Sequence, residues 1–230
     1  MSYPESEKSD PSLQFYKWSI LVSSSIMILL FCYLWIKLRK STENEFPAKL
    51  SLCMAVANLF MIGRFISGRL IYNECASNPD CTLEPSYKVM AYLWVFSVFV
   101  YLTAFNLGNW YFGFHYFKCA SEMKFVNEII HDKSALTKLK QQKKRNDKIF
   151  KSILFLNIAA IVIYVGILFK YVIITKDLAA NELFPGTCDL IPIEISKFLV
   201  YSFQMLSFSF LLIGNLKIRR LILGNKTFRK

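Results

Sequence analysis

The chain has 230 residues, of which 54% are hydrophobic and 16% aromatic, with only 19% charged and a mean hydropathy of +0.35. That balance excludes an ordinary soluble domain of this length and points to lipid as the main solvent. A formal net charge of +12 would suit a nucleic-acid binder if spread over a soluble surface, but here the basic residues gather in three stretches, so no nucleic-acid partner is expected.

Residues 1–17 form a polar, partly acidic tail, and no cleavable leader is apparent in it. The first apolar run, 18–38, is long enough to cross roughly 30 Å of hydrocarbon at about 1.5 Å per helical residue, and it reads as an anchor that exports its own tail. Ser23 to Ser25 offer small side chains for close approach of a neighbouring helix. Lys37, Arg39, Lys40 and Lys49 then flank a short loop.

The second run is 48–72. Arg64 is its most deeply placed charge, within reach of the outer interface if the side chain snorkels, and it is a candidate for contact with a lipid headgroup. Asn58 lies in the same run, and Gly63 would admit a close backbone. The loop NECASNPDCTLEP carries Cys75 and Cys81.

The third run, 87–114, ends in NLGNWYFGFHYFK. Asn106 and Asn109 share a helix face, as the 3.6-residue period dictates, so this run is expected at the centre of the bundle. Trp110, Tyr111, Phe112, Phe114, Tyr116 and Phe117 read as the aromatic belt where a span crosses the interface. His115 falls inside that belt with no acid beside it.

Residues 118–148 read as a basic cytoplasmic loop. Met123, Val126 and Ile129 continue the helical spacing, so the third helix is expected to run past the membrane. KLKQQKKRNDK is polybasic; Lys140, Lys143, Lys144 and Arg145 are candidates for contact with anionic inner-leaflet lipids. The fourth run is 149–175, with Asn157 and Gly166 inside it, and the fifth is 195–216, with Gln204. Between them lies Cys188, and a basic tail, 217–230, follows.

Long apolar runs without strand alternation mean helices, because a spanning segment must satisfy its own backbone hydrogen bonds. The expected fold is therefore all-α, a polytopic bundle with a five-helix transmembrane domain over 18–216. The positive-inside rule puts the three basic stretches in the cytoplasm, the amino terminus outside and the carboxyl terminus inside. Asn225-Lys226-Thr227 matches a glycosylation acceptor but falls on the cytoplasmic side.

Cys75, Cys81 and Cys188 all fall on the outside, where disulfides persist. Three cannot all pair. Cys81 with Cys188 is slightly preferred, since bridging distant loops removes more unfolded-state freedom; Cys75 with Cys81 would close a small local loop. Cys32, Cys53 and Cys119 read as small buried hydrophobes, with Cys119 also placed for S-acylation.

Intramembrane acids, which mark relays and transport sites, do not occur in the centres of the runs, and no metal-ligand, nucleophile-elbow or phosphate-loop motif is found. No enzyme activity and no cofactor are expected. Asn58, Asn106, Asn109, Asn157 and Gln204 read as interhelical hydrogen-bonding residues that specify contacts more than they stabilise them.

The order of parts, with a short outside tail, a tight basic first loop and a cysteine-bearing loop before a long third span, resembles the first five helices of seven-helix-receptor-like multipass membrane proteins of protists. NWYFGFHYFKCASEM is similar to the W-x-F-x-x-x-Y stretch of such proteins, carried here by Trp110, Phe112 and Tyr116. The resemblance implies a receptor-like or sensory role at a plasma membrane or endomembrane. His115-Tyr116-Phe117-Lys118 stands where rhodopsin-like receptors carry Asp/Glu-Arg-Tyr, so G-protein signalling is not implied. The alternatives are a shortened seven-helix protein or a five-helix protein in its own right. Against the receptor-like reading stands a structural or accessory subunit of a membrane complex, packed on a membrane protein partner or on copies of itself; a channel or transporter subunit is a third reading, which would need oligomerisation to build a polar pathway.

Overall fold

A computed structural model describes residues 11–40, 45–78, 80–129, 133–174 and 191–224. The described residues form five long helices: α1 (Pro11–Leu38), α2 (Glu45–Ser77), α3 (Pro85–Ile129), α4 (Lys133–Phe169) and α5 (Ile191–Gly224). Each is long and apolar enough to cross a membrane. The boundaries follow local chemistry. Pro47, Pro85 and Pro192 sit in first turns, where a missing N–H costs nothing, and Glu84, restricted by the proline after it, is extended at φ −68°, ψ 140°.

The helices outrun the expected spans: α1 begins at Pro11, inside the expected tail, and α2 and α5 extend beyond 48–72 and 195–216. The segment expected as a basic loop is mostly helix: α3 runs on to Ile129, as anticipated, and α4 begins at Lys133 rather than at 149. Lys, Gln and Arg are good helix formers, so KLKQQKKRNDK extends α4. At the other end of α4, Lys170–Ile174 widens into a π-helical turn.

The chain packs as two compact units. The first comprises residues 1–105 and 161–196, the second 106–160 and 197–230. In the first, buried Tyr87, Ala91, Trp94, Val98 and Leu102 form one stripe of α3 at helical spacing, and Ile161, Tyr164, Leu168 and Val172 form one of α4. Phe60 meets Phe96 edge to face at 5.7 Å, and Tyr92 meets Phe169 at 5.9 Å. The side chain of α1 that is buried in its middle is Ser24, whereas Trp18, Val22, Ile26, Leu29, Leu30 and Tyr33 face outward. Ser23 and Ser25 donate to carbonyls of their own helix. Gly63 does admit a close neighbour, since a Cβ there would lie 3.0 Å from Ser97 Oγ; Gly166 does not, having nothing within 4 Å.

The disulfide joins Cys75 to Cys81, which corrects the preference for Cys81 with Cys188. Cys188 itself lies outside the described residues. The local turn decides the pairing. Asp80 N–H donates to Asn78 Oδ1 (2.9 Å), Cys81 N–H to the Asn78 carbonyl (3.1 Å), and a short 3-10 turn over Cys81–Leu83 follows. This brings the two Cα atoms to 5.0 Å, inside the range a disulfide bridges without backbone movement. Beside it, Ser86 donates a hydrogen bond to Glu74 Oε1. Tyr87 O–H donates to the Val172 carbonyl (2.8 Å), in the π-helical turn that continues α4.

Candidate functional site

The second unit holds most of the residues singled out in the sequence, and it places them differently. Trp110 and Phe114 are one helical turn apart on α3, so their rings share a face. Phe150 of α4 stacks on Trp110 at 5.8 Å with an interplanar angle of 13°, and lies 4.9 Å from Phe114. Phe210 of α5 meets Trp110 edge to face at 5.3 Å and Phe117 at 5.0 Å. The result is an aromatic cluster shared by three helices. Trp110 is 0% and Phe114 3% exposed, so these two are interior residues and not part of a lipid-facing belt. Phe112, exposed, packs along its own helix on Tyr116 at 6.4 Å, while Tyr111 and Phe117 are half-buried.

Glycine makes the cluster possible. A Cβ at Gly113 would collide with the Ser207 carbonyl oxygen and lie 3.2 Å from its carbon. A Cβ at Gly214 would lie 3.2 Å from both Cα and N of Phe117. Backbones of α3 and α5 therefore touch at two levels. In lipid, where apolar burial gives helices little reason to associate, such close contact and its dispersion energy are what hold a pair together.

The expected interhelical amides divide. Asn58 Nδ2 donates to the Met54 carbonyl of its own helix (2.8 Å), which corrects its assignment as a contact between helices. Asn106 and Asn157 are 1% and 2% exposed. Asn106 lies one turn before Trp110 on α3 and Asn157 two turns after Phe150 on α4, each on the face that carries that ring. Asn157 Oδ1 has no hydrogen-bond donor among the described residues, and Asn109 Nδ2 has no acceptor. Gln204 is half-buried on α5. In the first unit, the Arg64 guanidinium lies over the Tyr101 ring at 5.9 Å, giving it a partner on α3 where a lipid headgroup was anticipated.

At its charged end the second unit is pinned by ion pairs. Lys118 Nζ is 3.0 Å from Asp147 Oδ1, and Lys143 Nζ is 3.9 Å from Glu122 Oε2. Both link α3 to α4 with the charges exchanged. Lys140, Lys144 and Arg145 are exposed on α4. His115 Nε2 and Cys119 Sγ are 3.5 Å apart, one turn apart on α3. Among the described residues no group of three or more His, Cys, Asp or Glu could hold a metal ion. Sequence reasoning missed Gly113, Phe150, Phe210, Gly214 and Lys217, though the helical spacing of Trp110, Phe114 and Phe117 pointed to a buried stripe. No family model, no curated protein and no solved structure matches the chain.

Proposed function

We propose that the chain is a non-catalytic multi-pass membrane protein that acts as a structural or accessory subunit, with its amino terminus outside and its basic end in the cytoplasm. The observation that carries this reading is the character of the interior. The largest fully buried side chains include Trp94 and Tyr87 in the first unit and Trp110 in the second, so large rings fill the interior of each. The charged pairs of the second unit lie in the last third of α3 and the first half of α4. The outward face of α1, with Trp18, Ile26, Leu29 and Tyr33, offers surface to other helices as well as to lipid.

The receptor-like reading keeps one favourable feature, the α2–α3 turn tied by Cys75–Cys81 and by Ser86 to Glu74, a rigid platform for an extracellular ligand. Purification from native membranes in mild detergent separates the two. A subunit co-purifies with a membrane partner, or with copies of itself, in fixed ratio; a lone monomer under those conditions overturns the subunit reading. Glycan-acceptor tags inserted at the amino terminus test the orientation, and a tag modified at residues 133–148 instead would reverse it.

A further inference from the structure

We propose that Lys217 binds the phosphate of an anionic phospholipid, in a cradle formed by Phe117 and Ser121 at the charged end of the second unit. The proposal rests on the reading of the chain as a membrane protein and adds to it a ligand class and a site.

The level of Lys217 is set by α5. From Phe198 to Leu216 that helix carries no charged residue, a run of about 28 Å at about 1.5 Å per residue, close to the thickness of a hydrocarbon core. Lys217 is the first charge beyond it, where lipid phosphates begin. It is also held in place. Its Nζ lies 4.4 Å from the centroid of the Phe117 ring and donates to Ser121 Oγ at 3.3 Å. Ser121 in turn donates to the Phe117 carbonyl at 2.8 Å, so its hydroxyl oxygen is oriented to accept. A ring face and a hydroxyl steady an ammonium without neutralising it, and two of its three donors are left over.

The other ammonium groups reaching across this end are matched, Lys118 by Asp147 and Lys143 by Glu122. Among the described residues no carboxylate lies within ion-pair distance of Lys217. Glu122, its nearest acid along α3, lies 3.9 Å from Lys143 Nζ through Oε2. The surroundings reinforce an anion. Phe150 and Phe210 both meet Phe114, and from there α4 traced toward its start and α5 traced toward its end run the same way: α3 pairs with α4 in opposite order (Trp110 with Phe150, Glu122 with Lys143) and with α5 in the same order (Gly113 with Ser207, Ser121 with Lys217). Exposed Lys140, Lys144, Arg145, Arg219 and Arg220 therefore gather at the end that carries Lys217. They draw anionic lipid to the surface, and Lys217 gives one phosphate a fixed seat.

The test uses the full chain in phosphatidylcholine–detergent micelles, titrated with phosphatidic acid and followed by thermal shift. Wild type is expected to gain stability with phosphatidic acid. Lys217→Gln should weaken the apparent affinity about fivefold, Lys217→Arg should restore most of it, and Lys88→Gln, exposed near the opposite end of α3, should change it less than about twofold. Should Lys217→Gln not fold, Phe117→Leu keeps the cation and removes the ring, and is expected to weaken binding about threefold. Lys217→Gln or Phe117→Leu binding phosphatidic acid as tightly as wild type overturns the site. Glycerol phosphate or inorganic phosphate producing the same stabilisation overturns the lipid as its occupant. Recovery of the wild-type chain in the aqueous phase after detergent phase separation would instead defeat the membrane reading, independently of any variant.

Discussion

Each unit has a packed stripe of buried side chains, but the ties added to that packing differ. In the first, single directed bonds fix chain ends: a disulfide closes the α2–α3 turn, Ser86 ties to Glu74, and Tyr87 reaches the Val172 carbonyl. In the second, the addition is close surface contact, with rings from α3, α4 and α5 interleaved and two glycines admitting backbone against backbone. Covalent and hydrogen-bonded ties tolerate imprecise packing around them. An aromatic cluster between touching helices does not, because a void or an extra methyl group there has no slack to absorb it. The difference predicts that point substitutions in the second unit cost more than loss of any one tie in the first.

The largest effect should come from Trp110→Ala, which empties the centre of the cluster and is expected to cost about 3–5 kcal/mol. Phe112→Ala, on the exposed side of the same helix, should cost under about 1 kcal/mol, and denaturant titration in a fixed detergent compares them. Equal costs would return Trp110 to the belt.

Next comes Gly113→Ala. Its Cβ meets backbone that cannot rotate away, so about 2–3 kcal/mol of destabilisation is expected. Gly166→Ala, with nothing within 4 Å, should be neutral or stabilising by up to about 1 kcal/mol through helix propensity. If both glycines tolerate alanine alike, α3 and α5 do not touch.

In the first unit, Cys75→Ser with Cys81→Ser should cost about 2 kcal/mol, the loop-closure value for so short a ring. Non-reducing peptide mapping should recover a Cys75–Cys81 peptide, and a Cys81–Cys188 peptide would contradict the turn described here. Smallest is Tyr87→Phe, which removes one hydrogen bond and should cost about 1 kcal/mol in the same titration.

Much of the helical architecture was legible in the sequence because length and hydropathy alone separate spans, and the described residues of all five anticipated runs fall within α1 to α5 or the π-helical turn that continues α4. The start of α4 was not, since Lys, Gln and Arg signal both a cytoplasmic loop and a good solvated helix. The disulfide was misjudged because loop entropy ranks pairings by sequence distance, whereas geometry here is settled by the Asn78 turn beside Cys75. Composition could not separate an aromatic belt from an aromatic core, because Trp and Phe suit both an interface and an interior. The spacing of Trp110, Phe114 and Phe117 contained the distinction, but its partners Phe150 and Phe210 are 40 and 100 residues from Trp110 and only the packing brings them to it. Asn58 shows the same limit from the other side: an amide inside an apolar run can serve its own helix as readily as a neighbour.

Tryptophan quenching by brominated phospholipid tests the interior cluster most directly. The chain has four tryptophans, and variants retaining only Trp110 or only Trp18 report each environment. Trp18, 66% exposed, should be strongly quenched, and Trp110, 0% exposed, should be quenched weakly or not at all. Trp110 quenched as strongly as Trp18 would place it against lipid and contradict the cluster.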